Sequence, residues 1–236
     1  MKHANLWQWV LLGMASAMSG CSSVPLPEGG SPVNYSNTVN FAVPVTSMIG
    51  RKFETVVRQQ YDFSCGSAAL ATLLRYHYDD PQNEQSVFLG MWQDGDRTQI
   101  QRLGFSLLDM KRYLAARGLT ADGYKVTLAQ VTDAGIPGIA LINFNGYRHF
   151  VVVKGIDKDT ILLGDPSLGL RRESIRHFQR QWNGVYFIVS GGATIGKAHF
   201  NMARDEARAP HGYVFPGGDQ LNLAALALTR PQLGEF

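Results

Sequence analysis

Residues 136–166 read IPGIALINF, then NG, then YRHFVVVKGI, then DKDT, then ILLGDP. Three apolar runs separated by two short turn signals restrict this part of the chain to an antiparallel meander. The pair Asn145-Gly146 supplies the positive φ angles that a two-residue hairpin turn requires. If the second turn is centred near Asp157 or Lys158, facing residues have numbers summing to about 315. Asp165 then lies opposite, or one place from opposite, His149, and hydrogen bonding follows where the two share a face.

The segments before the meander carry a helical period. Ala69, Leu70, Leu73, Leu74 and His77 form one buried stripe, which predicts a helix over Cys65–Tyr78. A second, short helix is expected over Glu84–Gln93. A third covers Leu107–Arg117, with Ser106 as N-cap, Asp109 reaching back to it and Gly118 as terminator. Beyond these, a helical turn is expected over Leu128–Ala134, a helix over ESIRHFQRQW and a closing strand over GVYFIVS. Helices first and antiparallel strands later define an α+β fold. The hydrophobic content of 45% suits a packed domain. The net charge of +3 is scattered along the chain, without the clustered basic face that nucleic-acid binding needs, so no nucleic-acid partner is expected.

The two ends differ from the middle. MKHANLWQWVLLGMASAMSGCSS places Lys2 and His3 ahead of an apolar run from Leu6 to about Met18, followed by small residues. That run is short for a bilayer span and has the pattern of a secretory signal, so residues 1–20 are expected to direct export to the periplasm. Met18-Ser19-Gly20-Cys21 also resembles a lipobox, with Met18 in place of the usual leucine. Cys21 is therefore a candidate for lipidation, which would tether the protein to a membrane surface without a spanning segment. Residues 21–50 are rich in Ser, Pro, Gly and Asn and read as an extended linker. The folded domain is expected over 51–190, and 191–236 form a C-terminal extension of undetermined order, with LNLAALAL as one short helix candidate. Within it, GGATIGKA fits G-x-x-x-x-G-K but ends in Ala198, without the hydroxyl that holds magnesium, and is expected to be a loop.

Two cysteines occur in the chain, and Cys21 lies in the processing site. No structural disulfide is expected, which leaves Cys65 a free thiol in an oxidising compartment. It stands in QQYDFSCGSAALATLL, where the first helix begins. Unpaired N–H groups and the helix dipole favour an anion there, and Gly66 leaves room for a substrate backbone to approach. A small buried thiol is the alternative, and position alone does not choose. A nucleophilic cysteine needs a histidine base. His3 is in the signal, His77 on the buried stripe, His177 on a polar helix, and His199 and His211 in the extension. His149 is the histidine on a central strand, with Asp165 placed to orient it, although Asp165-Pro166 is also an ordinary turn starter.

These residues resemble the active-site signature of the bacteriocin-processing, double-glycine type of papain-like cysteine peptidases. The likeness runs from about residue 51 to 190: QYDFSCGSAAL around Cys65, HFVVV at His149, DP at Asp165, and FQRQWNGVYFIV as closing helix and strand. It implies a papain-like fold with N-terminal helices packed on an antiparallel sheet. It also implies Cys65 as nucleophile, His149 as base, Asp165 as the orienter of that base, and Gln59, rather than the adjacent Gln60, in the oxyanion hole. The expected activity is that of an exported cysteine endopeptidase acting on a secreted protein or peptide. An exported, stand-alone member is similar to the peptidase components of bacterial functional-amyloid secretion, which implies fibril subunits or their exporter as partners. No metal or cofactor is expected, because Cys65 and His149 lack a matching set of further ligands. The alternative function is an inactive peptidase-like module that binds or chaperones a secreted peptide.

Overall fold

The computed structural model describes residues 30–33, 43–144 and 146–210. The expected signal, Cys21, Asn145, His211 and LNLAALAL lie outside the described residues. The chain divides into two compact units, Met1–Thr46 and Ser47–Phe236. In the first, β1 (Gly30–Val33) pairs antiparallel with β2 (Val43–Thr46), inside the stretch expected to be an extended linker. Val33, Val43, Val45 and Thr46 are β-branched, and that composition favours pairing over an open chain.

The second unit begins with α1 (Met48–Lys52), followed by α2 (Cys65–His77), α3 (Glu84–Asp94), α4 (Arg97–Leu103) and α5 (Leu107–Ala116). Then come β3 (Ala121–Lys125), α6 (Leu128–Ala134), β4 (Gly138–Phe144), β5 (Tyr147–Asp157) and β6 (Thr160–Asp165). The remaining elements are β7 (Gly169–Ser174), α7 (Ile175–Gln181), β8 (Trp182–Val189), α8 (Ala193–Ala198) and α9 (Ala203–Arg208). Six antiparallel strands form one sheet in the order β3-β8-β4-β5-β6-β7.

Helices cover both faces of that sheet. Leu70, Leu73 and Leu74 of α2, with Val87, Met91, Met110 and Leu114 of α3 and α5, pack on Ile139, Phe150, Val152 and Phe187. Each of the three leucines is fully buried, worth about 1.5–3 kcal/mol apiece. On the opposite face Leu128, Val131 and Phe178 of α6 and α7 meet Ile142, Val151, Val153, Ile161 and Leu163. With cover on both sides, β5 is buried without a break from His149 to Ile156, which explains its unalternating FVVV run.

The meander forms as its turns dictate. Phe144 faces Tyr147 across a two-residue connection, and Gly146 takes φ +86°. The second hairpin departs from the expected register. Asp157 faces Thr160, and Val152 faces Gly164 beyond a bulge between Val153 and Gly155. Carried one residue on, that register sets Asp165 beside Val151 rather than against His149.

Four further elements escape a periodicity argument. Strands β3 and β7 are the edges of the sheet, so ADGYK and GLRRES stay largely polar. Helices α1 and α4 are only five and seven residues long. The helix expected over ESIRHFQRQW is shorter at both ends, because Glu173 and Ser174 belong to β7 and Trp182 starts β8. GGATIGKA is not a loop: it is a 3-10 turn at Ser190–Gly192 followed by α8. A Cβ at Gly192 or Gly196 would stand 2.9 Å from the Tyr78 ring or hydroxyl, so these glycines let the segment lie against α2.

Candidate active site

Three anchors bring Cys65 to the start of β5. The Gln59 N–H donates to Pro166 O at 3.0 Å, just after β6. The Gln60 N–H donates to Glu84 Oε1 at 3.1 Å, and the Ser64 hydroxyl lies against the same buried carboxylate on α3. The Tyr147 hydroxyl donates to Asp62 O at 2.8 Å, which joins the loop to the hairpin end of β5. Cys65 therefore opens α2 beside the sheet, as a free thiol 4% exposed. Ser64 gives this helix no side-chain cap, so its leading amides remain available to an anion. Gly66 serves packing, not substrate approach: a Cβ there would meet Phe105 at 3.0 Å and Met110 at 3.1 Å.

His149 and Asp165 meet at 2.8 Å through Nε2 and Oδ1, both side chains buried. The remaining ring nitrogen, Nδ1, is left for the thiol, and Cys65 is near enough to help hold the charge of the ring. Burial by itself would lower the His149 pKa; the bond to Asp165, and then Cys65, outweigh it and raise the value to about 9. Burial pushes the Asp165 carboxyl up, but the hydrogen bond and charge of His149, then Arg171, bring it below its ordinary range. Burial and the adjacent Cys65 raise the Tyr147 hydroxyl above the usual tyrosine value. A carboxylate–imidazole pair held this way keeps the tautomer and stabilises the charged ring that results from taking a thiol proton.

Gln59 sits half-buried next to this pair. Its Oε1 accepts from Ser167 Oγ at 2.9 Å and its Nε2 donates to Tyr61 O at 3.3 Å, while Gln60 is exposed. Cys65 lines a groove of about 580 Å3 with Ile100, Leu103, Phe105, Leu141 and Phe150. A neighbouring hollow of about 640 Å3 holds Gln59, Phe63 and Tyr147 and shares Leu103, Gly104 and Arg148 with the first. An extended chain laid across both would pass the thiol.

The other described histidines are engaged elsewhere. His77 is fully buried, bonds His199 O through Nδ1 at 2.9 Å, and has no partner at Nε2. Burial, then the nearby Lys154, hold its pKa well below the usual value, so it stays neutral. His177 pairs with Glu173 on β7. Among the described residues no three His, Cys, Asp or Glu side chains converge as a metal ion requires. Tyr147, Ser167 and Arg171 also belong to the site, and periodicity did not single them out. Their one sequence signal is closeness in the chain to His149 or Asp165.

A cysteine at the start of a helix, set against an antiparallel sheet that carries His and Asp on neighbouring strands, defines a papain-like cysteine peptidase domain. The chain belongs to the peptidase C39 family, whose model matches residues 54–194, more than half its length. It is 43% identical over 147 residues to a probable functional amyloid protease, FapD, of Pseudomonas aeruginosa, covering 62% of this chain and 65% of that protein. A Pseudomonas fluorescens protein of the same name is 44% identical over 147 residues, with the same two shares of 62% and 65%. The chain thus spans less than two thirds of the length of these relatives. Among solved structures, a double glycine motif protease from an AMS/PCAT transporter, in complex with the leader peptide, aligns at 28% identity and TM-score 0.48, covering 56% of this chain and 88% of that one.

Proposed function

We propose that this protein is an exported cysteine endopeptidase that cleaves a component of a functional-amyloid system, a fibril subunit or part of its exporter. The single observation that carries the chemistry is the Cys65–His149–Asp165 arrangement, with Cys65 in the wall of the groove. His149 takes the proton of Cys65, and the sulfur attacks a peptide carbonyl. The Cys65 amide and the Gln59 side chain stabilise the tetrahedral oxyanion, each donor worth about 2.7–4 kcal/mol in comparable sites. His149 then protonates the leaving amine, and water releases the acyl group from sulfur. The names of the relatives support the amyloid assignment, and the Leu6–Met18 run supports periplasmic location, with Cys21 as the point of lipid attachment.

The test is digestion of a proteome-derived peptide library and of the recombinant fibril subunits by the mature protein, with new N-termini mapped by mass spectrometry. Cleavage by wild type and none by Cys65→Ala is the expected result. Equal cleavage by Cys65→Ala overturns the mechanism. Peptides bound by both proteins and cut by neither favour the peptide-binding module instead.

A further inference from the structure

Asp165 serves more partners than the histidine. Its Oδ1 accepts from His149 Nε2 at 2.8 Å and from the N–H groups of Ser167 and Leu168 at 2.9 and 3.2 Å. Its Oδ2 accepts from Arg171 Nε at 3.1 Å. Arg171 also bonds Glu173 through its terminal nitrogen, and Glu173, itself buried, pairs with His177, whose side chain is 42% exposed. Charges of alternating sign therefore run from His149 through Asp165, Arg171 and Glu173 to the surface. The planar guanidinium is the side chain able to bond two carboxylates at once in a fixed orientation.

We propose that Arg171 is a positioning residue of the thiol site, fixing the Asp165 carboxylate by its second oxygen so that Oδ1 stays aimed at His149. It acts through Asp165. The proposal rests on the roles given above to Cys65, His149 and Asp165. The charged groups facing Asp165 are His149 from β5 and Arg171 from β7, with Cys65 behind the first and Glu173 behind the second. Without the guanidinium, His149 is the one cation left against Asp165 among the described residues. The carboxyl then takes up its proton at a higher pH, and the support of the imidazolium fails earlier on acidification.

The probe is iodoacetamide: the labelling rate of Cys65 is followed from pH 4 to 9 in the mature protein carrying Cys21→Ser. Removing Arg171 alone would leave Glu173 as a buried carboxylate with only the part-exposed His177 beside it, so the main variant is Arg171→Gln combined with Glu173→Gln. Arg171→Lys, which keeps a cation, is the rescue control. In the double variant the acid limb is expected to move up by about one pH unit, the low end of what losing an adjacent opposite charge does to a carboxylate. The rate on that limb falls roughly tenfold with it, while Arg171→Lys stays near wild type. Near-UV circular dichroism confirms folding of each variant, and a merely structural arginine would leave the limb in place. Superimposable profiles for wild type and the folded double variant overturn the proposal. A native wild-type protein that does not label at any pH overturns the peptidase assignment instead, and this proposal with it.

Discussion

The titration of His149 can be read from stability alone, with no substrate in hand. Burial opposes the charged ring, but Asp165 at 2.8 Å, with Cys65 beyond it, raises the pKa from 6.5 to about 9. Folding therefore favours the protonated form. Its contribution is full below pH 6.5 and is lost as the pH rises through about 9. A shift of that size in a buried group corresponds to roughly 3 kcal/mol. One kcal/mol moves Tm by about 2–4 °C in a domain of this size, so His149 alone lowers Tm by roughly 6–12 °C between pH 6 and 9.5. Asp165→Asn keeps the shape of the partner and removes its charge. The Tm advantage of wild type over Asp165→Asn should then be largest near pH 6 and shrink by most of that amount by pH 9.5. Thermal melts followed by far-UV circular dichroism at constant ionic strength measure it directly. An advantage that stays constant from pH 6 to 9.5 would refute the claim that Asp165 stabilises the charged imidazole.

Gln59→Ala should lower kcat by roughly 10²–10³-fold, the loss seen for a single oxyanion donor, with KM little changed. Steady-state kinetics on the mapped cleavage site check this, and a change confined to KM would place Gln59 in substrate binding instead. Lys154 and Asp205 form a fully buried ion pair at 3.2 Å, and Asp205→Ala leaves the lysine without its counter-ion, at a cost of about 3–5 kcal/mol. Urea unfolding should show that loss, and Lys154→Met with Asp205→Leu should recover most of it. Recovery no better than the single variant would mean that the pair itself, and not the stranded charge, sustains the fold.

How much of this was legible in the sequence follows from what each element is made of. Helix α2 announces itself through a buried stripe and α5 through a capping pair, and Ser106 with Asp109 forms the reciprocal cap that SLLD promises. The turn at Gly146 is specified by two residues, which is why it is legible. The edge strands are not legible, because an edge has no second neighbour to demand apolar side chains on both faces. Nor is the order of residues 191–210. That segment is held by single contacts, such as Asn201 Oδ1 accepting from the Ile156 N–H at 2.7 Å and Asp205 reaching Lys154, which leave no periodic trace. Proximity of Cys65, His149 and Asp165 is suggested by strand order and motif. Arg171 is not, since nothing in GLRRES separates it from Arg172, which turns instead to Glu206.

The bulge at Lys154 explains why a misjudged register still brought the right pair of side chains together. Near the turn, Ile156 faces Ile161 and Gly155 faces Leu162. Extended unchanged, that register would set Asp165 opposite Val152, on the face that packs against α2 and away from His149. One extra residue in β5 shifts the ladder so that Val152 faces Gly164, and Asp165 moves into line with Val151. Side chains alternate along a strand, so residues 149 and 151 share a face, and the diagonal distance from His149 falls within reach of a carboxylate. The same inserted residue is the buried lysine that receives Asp205 from α9 and donates to Thr55 O at 2.8 Å. The bulge thus keeps the carboxylate on the histidine's face, and the lysine it sets aside anchors α9. A one-residue slip that drew Lys154 into the ladder and erased the bulge would put Asp165 opposite Val152, on the wrong face, whereas deleting Lys154 would leave Val152 facing Gly164 as before.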